Sequence, residues 1–305
     1  EEEILHVKGS GWDLELIEEA GFSPVRMQHL LRLARLDALS DPQMVNELAT
    51  HMTRAAAPAP SVETILHALL PHKYVDHTHS DAVLAITNTA DGAQRIAEIY
   101  GDAVVVVPYV MPGFDLARLC AELFPRYGGA GTIGMVLMKH GIFSFGATAR
   151  ESYERMIRLA DLAERYLAAH AAWDLPCPAS ALPGPTPSPD IASLRKHLSQ
   201  TAGQPVIVQV RSDARALSFV RRADIAAISQ QGPVTPDHVL RTKRVPLLGR
   251  DIDRYAHDYR GYFERHAPIA REPKTMLDPA PRVVLDPTLG PVSYTHLTLP
   301  TNREV

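Results

Sequence analysis

The residues of this 305-residue chain whose types and spacing suit chemistry are three histidines, a glutamate and two short serine and glycine turns. His77-Thr78-His79 comes first. In an extended strand, residues two apart share a face, so both imidazoles can reach one ion. Neutral imidazole suits zinc, and three protein ligands leave a position open for substrate. The same pair also reads as two unrelated polar histidines beside Asp76 and Asp81, among 14 histidines in all. His140 ends an apolar run and precedes Gly141, which is expected to turn the backbone sharply. Glu63 is expected in the first turn of a helix opening after Ser61, one turn before His67. Its apolar neighbours predict burial, which raises a carboxylate pKa into the range of acid/base work. The plain alternative is a carboxylate that complements the helix dipole. Ser10-Gly11 and Ser61 present backbone N–H groups to an anion, and read equally as ordinary turn and capping chemistry.

Other signals fall away. Gly129-Ala130-Gly131-Thr132-Ile133-Gly134 matches GxGxxG, but an apolar strand follows it where a dinucleotide site needs a helix. No GxSxG is present, and Cys120 sits in a helical pattern with no base beside it. A net charge of −4 gives no case for nucleic acid or an anionic membrane. No apolar run approaches the roughly 18 residues of a membrane span. Two cysteines without CxxC spacing suit a reducing, cytoplasmic setting.

Elements must position these groups. A short strand is expected at 4–7, helices at 25–36, 41–52 and 62–70, and an alternating strand from 74. Apolar strands are expected at 103–107, 132–138 and 142–145, with a helix at 115–124 between the first two. Thr148-Ala149-Arg150-Glu151 reads as a capping box. It opens a long helix with Tyr153, Met156, Ile157, Ala160, Ala163 and Leu167 on one face. Six prolines between 175 and 190 mark a linker. Beyond it come a helix near 191–199, a strand at 205–210, a helix at 214–219, and Tyr255, Tyr259 and Tyr262 at helical spacing. Alternating strands and helices imply a layered α/β domain followed by a smaller module.

In order and spacing, Pro60-Ser61-Val62-Glu63, His77-Thr78-His79 and Lys139-His140-Gly141 resemble the class II aldolase/adducin superfamily. The resemblance covers roughly residues 4–167. It implies a three-layer α/β/α domain with a central β-sheet. It also implies zinc or another divalent metal on His77, His79 and His140, Glu63 as acid/base, and phosphate contacts from Ser10, Gly11 and Ser61. Val62 stands where some relatives have a second serine. Lys8-Gly9-Ser10-Gly11-Trp12-Asp13-Leu14, the run 75–83 and Gly232-Pro233-Val234-Thr235-Pro236-Asp237-His238 are similar to one branch, the two-part rhamnulose-1-phosphate aldolase/short-chain alcohol dehydrogenase proteins. That branch implies cleavage of L-rhamnulose 1-phosphate to dihydroxyacetone phosphate and L-lactaldehyde, by a cytoplasmic homotetramer acting on a small sugar phosphate. Epimerase or decarboxylase chemistry on the same site, and a non-catalytic adducin-like module, are the alternatives.

The expected division is an aldolase domain at 1–172, linker at 173–190, accessory module at 191–290 and an extraneous tail at 291–305. The tail from about Val292, which includes His296, resembles a translated sequencing adaptor. The start, Glu1-Glu2-Glu3-Ile4 without Met, reads as an N-terminal truncation that omits a further phosphate-binding element. NAD is expected only through a dehydrogenase domain lying outside this chain.

Overall fold

The computed structural model describes residues 2–174, 188–270 and 273–296, which divide into two compact units at about residue 170. In the first unit, β1 (Ile4–Lys8) pairs antiparallel with β2 (Phe22–Arg26). Then come α1 (Met27–Leu33), α2 (Asp41–Thr50), α3 (Thr64–Leu69), β3 (Tyr74–Thr78), α4 (Asp81–Thr87), α5 (Gly92–Tyr100) and β4 (Val104–Val107). The unit closes with α6 (Phe114–Tyr127), β5 (Gly134–Leu137), β6 (Gly141–Gly146) and α7 (Ala149–Ala169).

The central sheet has the order β3-β6-β5-β4; only the β4–β5 pair is parallel. β4, β5 and β6 are largely apolar because both faces are covered. Alternate residues face opposite ways, so Val105, Val107, Met135, Leu137, Phe143 and Phe145 pack with residues of α1, α2, α3 and α6. Val104, Val136 and Ile142 pack the other way, on α4, α5 and α7. These are the three layers that the resemblance implied.

Several local expectations shift. Val25 and Arg26 belong to β2, because their backbone pairs with β1, so the first helix starts at Met27. The buried stripe of α7 is Ser152, Met156, Leu159, Ala163 and Leu167, which leaves Tyr153 and Ile157 exposed. Thr148 accepts from the Glu151 amide as expected, but the Glu151 carboxylate accepts from Ala147 N rather than completing the box on Thr148. Gly129–Gly134 is a turn that feeds β5, with the Thr132 amide donating to Gly129 O.

The second unit contains α8 (Ser188–Ala202), β7 (Val206–Val210), α9 (Ala214–Val220), α10 (Ile225–Ser229), α11 (Pro236–Thr242), β8 (Leu247–Leu248), α12 (Ile252–His266), β9 (Val283–Asp286) and β10 (Gly290–His296). Its sheet runs β7-β10-β9-β8 over a core that includes Leu198, Val206, Ile252, Val284 and Val292. The end of the expected linker is the first turn of α8, and residues 175–187 lie outside the described chain. Part of the tail set aside from about Val292 forms β10, paired with β7 and β9. Val292 and Tyr294 of β10 are buried in the core of this unit. No described helix is long and apolar enough to cross a membrane.

Candidate metal centre

Glu63, His77, His79 and His140 each offer one ligand-type atom, and these atoms all lie within 4.8 Å of one another. Three places in the fold deliver them. His77 is the fourth residue of β3, and His79 lies just past its end. Their rings meet, 4.9 Å apart and nearly perpendicular at 78°. His140 sits in the tight turn between β5 and β6, donating its amide to Leu137 O, and is 2% exposed.

The turn is not made by Gly141. Lys139 takes the left-handed conformation, at φ 60°. Gly141 serves a different need. A Cβ there would lie 2.7 Å from Thr78 O, 2.8 Å from His77 Cε1 and 2.9 Å from His79 Cδ2. The glycine is what lets two of the histidines close in.

Glu63 is the N-cap of α3 rather than a first-turn residue, because the Ser61–Thr64 turn delays the helix. Ser61 O accepts from Thr64 N and from Thr64 Oγ1, and Ser61 Oγ accepts from Glu63 N. The Glu63 side chain makes no capping bond and turns to the histidines instead. Its Oε1 lies 3.0 Å from His140 Nε2 and its Oε2 lies 3.3 Å from His77 Nε2. Neither contact has hydrogen-bond angles: Glu63 Oε1 and His77 Nε2 are buried polar atoms with no hydrogen-bond partner.

The expected rise in the Glu63 pKa is not seen. Burial pushes it up, but the His77, His140 and His67 imidazoles outweigh burial and bring it down to about 2. Burial likewise drives His77 down to about 3, against the pull of Glu63. Near neutral pH the set is therefore a carboxylate facing a neutral imidazole. His77 Nδ1 makes its bond to Ile142 O at 3.1 Å. As the donor there, Nδ1 carries the proton, and the Nε2 lone pair is directed at a carboxylate. Two acceptors face each other in a buried space, an arrangement that a cation relieves. Three nitrogens and one oxygen are also a donor set that zinc takes.

A second cluster gives a useful contrast. His29, Glu47 and His51 also bring ligand-type atoms within 4.8 Å. Their imidazoles, however, are stacked 3.2 Å apart with planes 4° from parallel, so no single ion lies in both ring planes. The first cluster's rings cross at 78°, 85° and 53°, which lets their in-plane lone pairs converge. We assign no ion to the second cluster.

The residues expected to hold phosphate are brought together. An isolated bridge between Gly9 and Pro60 sets the end of β1 beside the approach to α3. Ser10 N donates to Ala59 O, so that amide is used internally. Gly11 beside it takes the left-handed conformation, at φ +86°. Cys120 is buried on α6, and burial with the nearby Glu63 charge pushes its thiol up to about 12, so it is no nucleophile. Phe143 and the Ile142 carbonyl, both in contact with His77, were missed by sequence reasoning. The only signal for them is the β3–β6 register, which links residues 65 apart.

A family model described as Class II Aldolase and Adducin N-terminal domain matches residues 1–167, and one described as Aldolase class II, second domain matches residues 188–298. "Uncharacterized oxidoreductase YuxG" of Bacillus subtilis (strain 168) is 33% identical over 321 residues, covering 95% of this chain. The chain spans 45% of that relative's length. The N-terminal class II aldolase domain of a conserved protein from Thermoplasma acidophilum is 44% identical, covering 54% of this chain and 75% of its own, with a TM-score of 0.50.

Proposed function

The chain belongs to the class II aldolase and adducin family, and on that premise we propose that it cleaves a ketose 1-phosphate, L-rhamnulose 1-phosphate, to dihydroxyacetone phosphate and L-lactaldehyde. The observation that carries the reading is the convergence of three crossed imidazoles and one carboxylate. His77, His79 and His140 hold a zinc or other divalent ion, which when bound supplies Lewis-acid stabilisation to oxygen charge that builds during carbon–carbon cleavage.

The chain's own groups do the rest. Glu63, ionised at neutral pH, accepts the proton of the nucleophilic carbon in the condensation direction and returns it in the cleavage direction. Buried beside the histidines, it is held in place for that single carbon. The Ser10 and Ser61 hydroxyls with the Gly11 amide bind the phosphate and so fix which carbon faces Glu63. The division into an aldolase domain at 1–172 and an accessory module at 191–290, and assembly as a homotetramer, belong to the same proposal. The redox name of the Bacillus subtilis relative is assigned to none of this chain's residues.

The test is a product assay on metal-loaded protein with L-rhamnulose 1-phosphate. Dihydroxyacetone phosphate is followed by coupled reduction, and all products by carbon-13 and phosphorus-31 NMR. Equal amounts of dihydroxyacetone phosphate and lactaldehyde are expected. An epimeric sugar phosphate, or released carbon dioxide, in their place overturns the aldolase reading.

A further inference from the structure

His77 is gripped by three consecutive residues of β6. In the antiparallel register it stands opposite Phe143. Phe143 is fully buried, and its ring lies against the imidazole, with centroids 4.1 Å apart and planes 21° from parallel. The neighbouring Ile142 carbonyl accepts a hydrogen bond from Nδ1 at 3.1 Å. Gly141 leaves the gap that His77 Cε1 occupies, 2.8 Å from where a Cβ would stand.

Each contact removes a different freedom. The hydrogen bond fixes the tautomer and pins one atom of the ring. By itself it lets the ring swing about that atom. The aromatic face removes the swing by fixing the ring plane. The missing Cβ sets how far the ring can advance. Together they determine where the Nε2 lone pair points. Resting on the metal reading above, we propose that Phe143, with Gly141, is a positioning residue that aims His77 Nε2 at the ion.

The same strand contains a matched control. Phe145, two residues on and packed in the same core as Phe143, is also fully buried. It too stacks on an imidazole, that of His72, with centroids 4.6 Å apart and planes 4° from parallel. His72 is not in the ligand cluster. Phe143 and Phe145 are therefore alike in chemistry, burial and strand, but Phe145 stacks on His72 while Phe143 stacks on His77, with the His67 ring tilted 5.3 Å away.

The experiment compares F143L and F145L in the full chain, using cobalt(II) as the probe. Affinity is measured by chelator competition, ligand geometry by the visible absorption of the bound ion, and stability by melting in chelator. Both variants should melt lower in chelator. Only F143L should bind cobalt(II) more weakly, by roughly tenfold, as for loss of an outer contact to a ligand, with an altered spectrum. Wild-type affinity and spectrum in folded F143L, or equal losses in both variants, would overturn the proposal. If F143L does not fold, G141A takes its place with the same expectation and the same refutation. A wild-type chain that binds no cobalt(II) overturns the metal reading itself, and is seen before any variant is compared.

Discussion

Glu63 is pulled in two directions: burial favours its neutral form and the imidazoles around it favour its charge, and the imidazoles win. E63Q keeps the shape and removes the proton carrier. It is expected to lower turnover by about 10²–10⁴-fold while leaving the ion bound, read as initial rate and metal content of the same sample. The pH dependence follows from His77. Burial holds its folded pKa near 3, below the unfolded 6.5. Between those values the unfolded chain binds the extra proton, so stability is present above about 6.5 and is lost as pH falls. His67 and His72 are also lowered by burial, and act in the same direction. Glu63, lowered from 4.5 to about 2, extends the loss below about pH 4.5. In chelator, the urea midpoint should fall steadily between pH 7 and pH 4; a flat profile would contradict the assignment of these histidines as uncharged in the folded chain. At this scale the members of the cluster were legible in the sequence, because HxH and HG are local. The direction of the Glu63 shift was not, because it depends on imidazoles 14 and 77 positions away.

At the scale of elements, the β5–β6 turn does the decisive work. It brings His140 back over the end of β3, and it does so through a lysine in a conformation that costs a non-glycine residue roughly 1–2 kcal/mol. K139G should relieve that strain and raise the stability of metal-free protein by about 1 kcal/mol, measured as a shift in the urea midpoint. A loss would mean that Lys139 makes a compensating contact. Element types were largely readable: valine-rich β4, apolar β5 and the long α7 announce themselves by composition and period. Element edges were not. Val25 looked helical by pattern but pairs with β1, and α5 went unnoticed because Gly92 and its polar neighbours hide the apolar stripe of Ile96 and Tyr100. The role of Gly141 was misread for a related reason. A glycine after a histidine looks like a turn, and only the β3–β6 pairing reveals a packing constraint.

At the scale of the whole molecule, the two units each have their own sheet and core. In the second, Tyr255, Tyr259 and Tyr262 do lie along one helix, and they meet the segment that follows α11. Tyr255 Oη donates to Val245 O, Lys243 Nζ sits 4.0 Å over the Tyr259 ring, and Arg244 lies over Tyr262. Lys243 is 6% exposed and donates to the carbonyls of Asp278 and Ala280. K243M should strand those acceptors and cost about 1–3 kcal/mol each, read by calorimetry, while the ion bound in the first unit stays. An unchanged melting temperature would contradict the role given to the Lys243 ammonium. Sequence composition gave no hint of this buried lysine, whose setting joins residues 35 and 37 positions apart.

The central claim is that His77, His79 and His140 form one metal centre, and it is tested most directly by zinc stoichiometry. The chain is stripped with chelator, titrated with zinc and analysed for bound ion beside H140A and H51A. One tightly bound zinc per chain is expected in the wild type and in H51A, and none in H140A. A wild-type chain that binds no zinc, or an H140A chain that keeps it, would contradict the account.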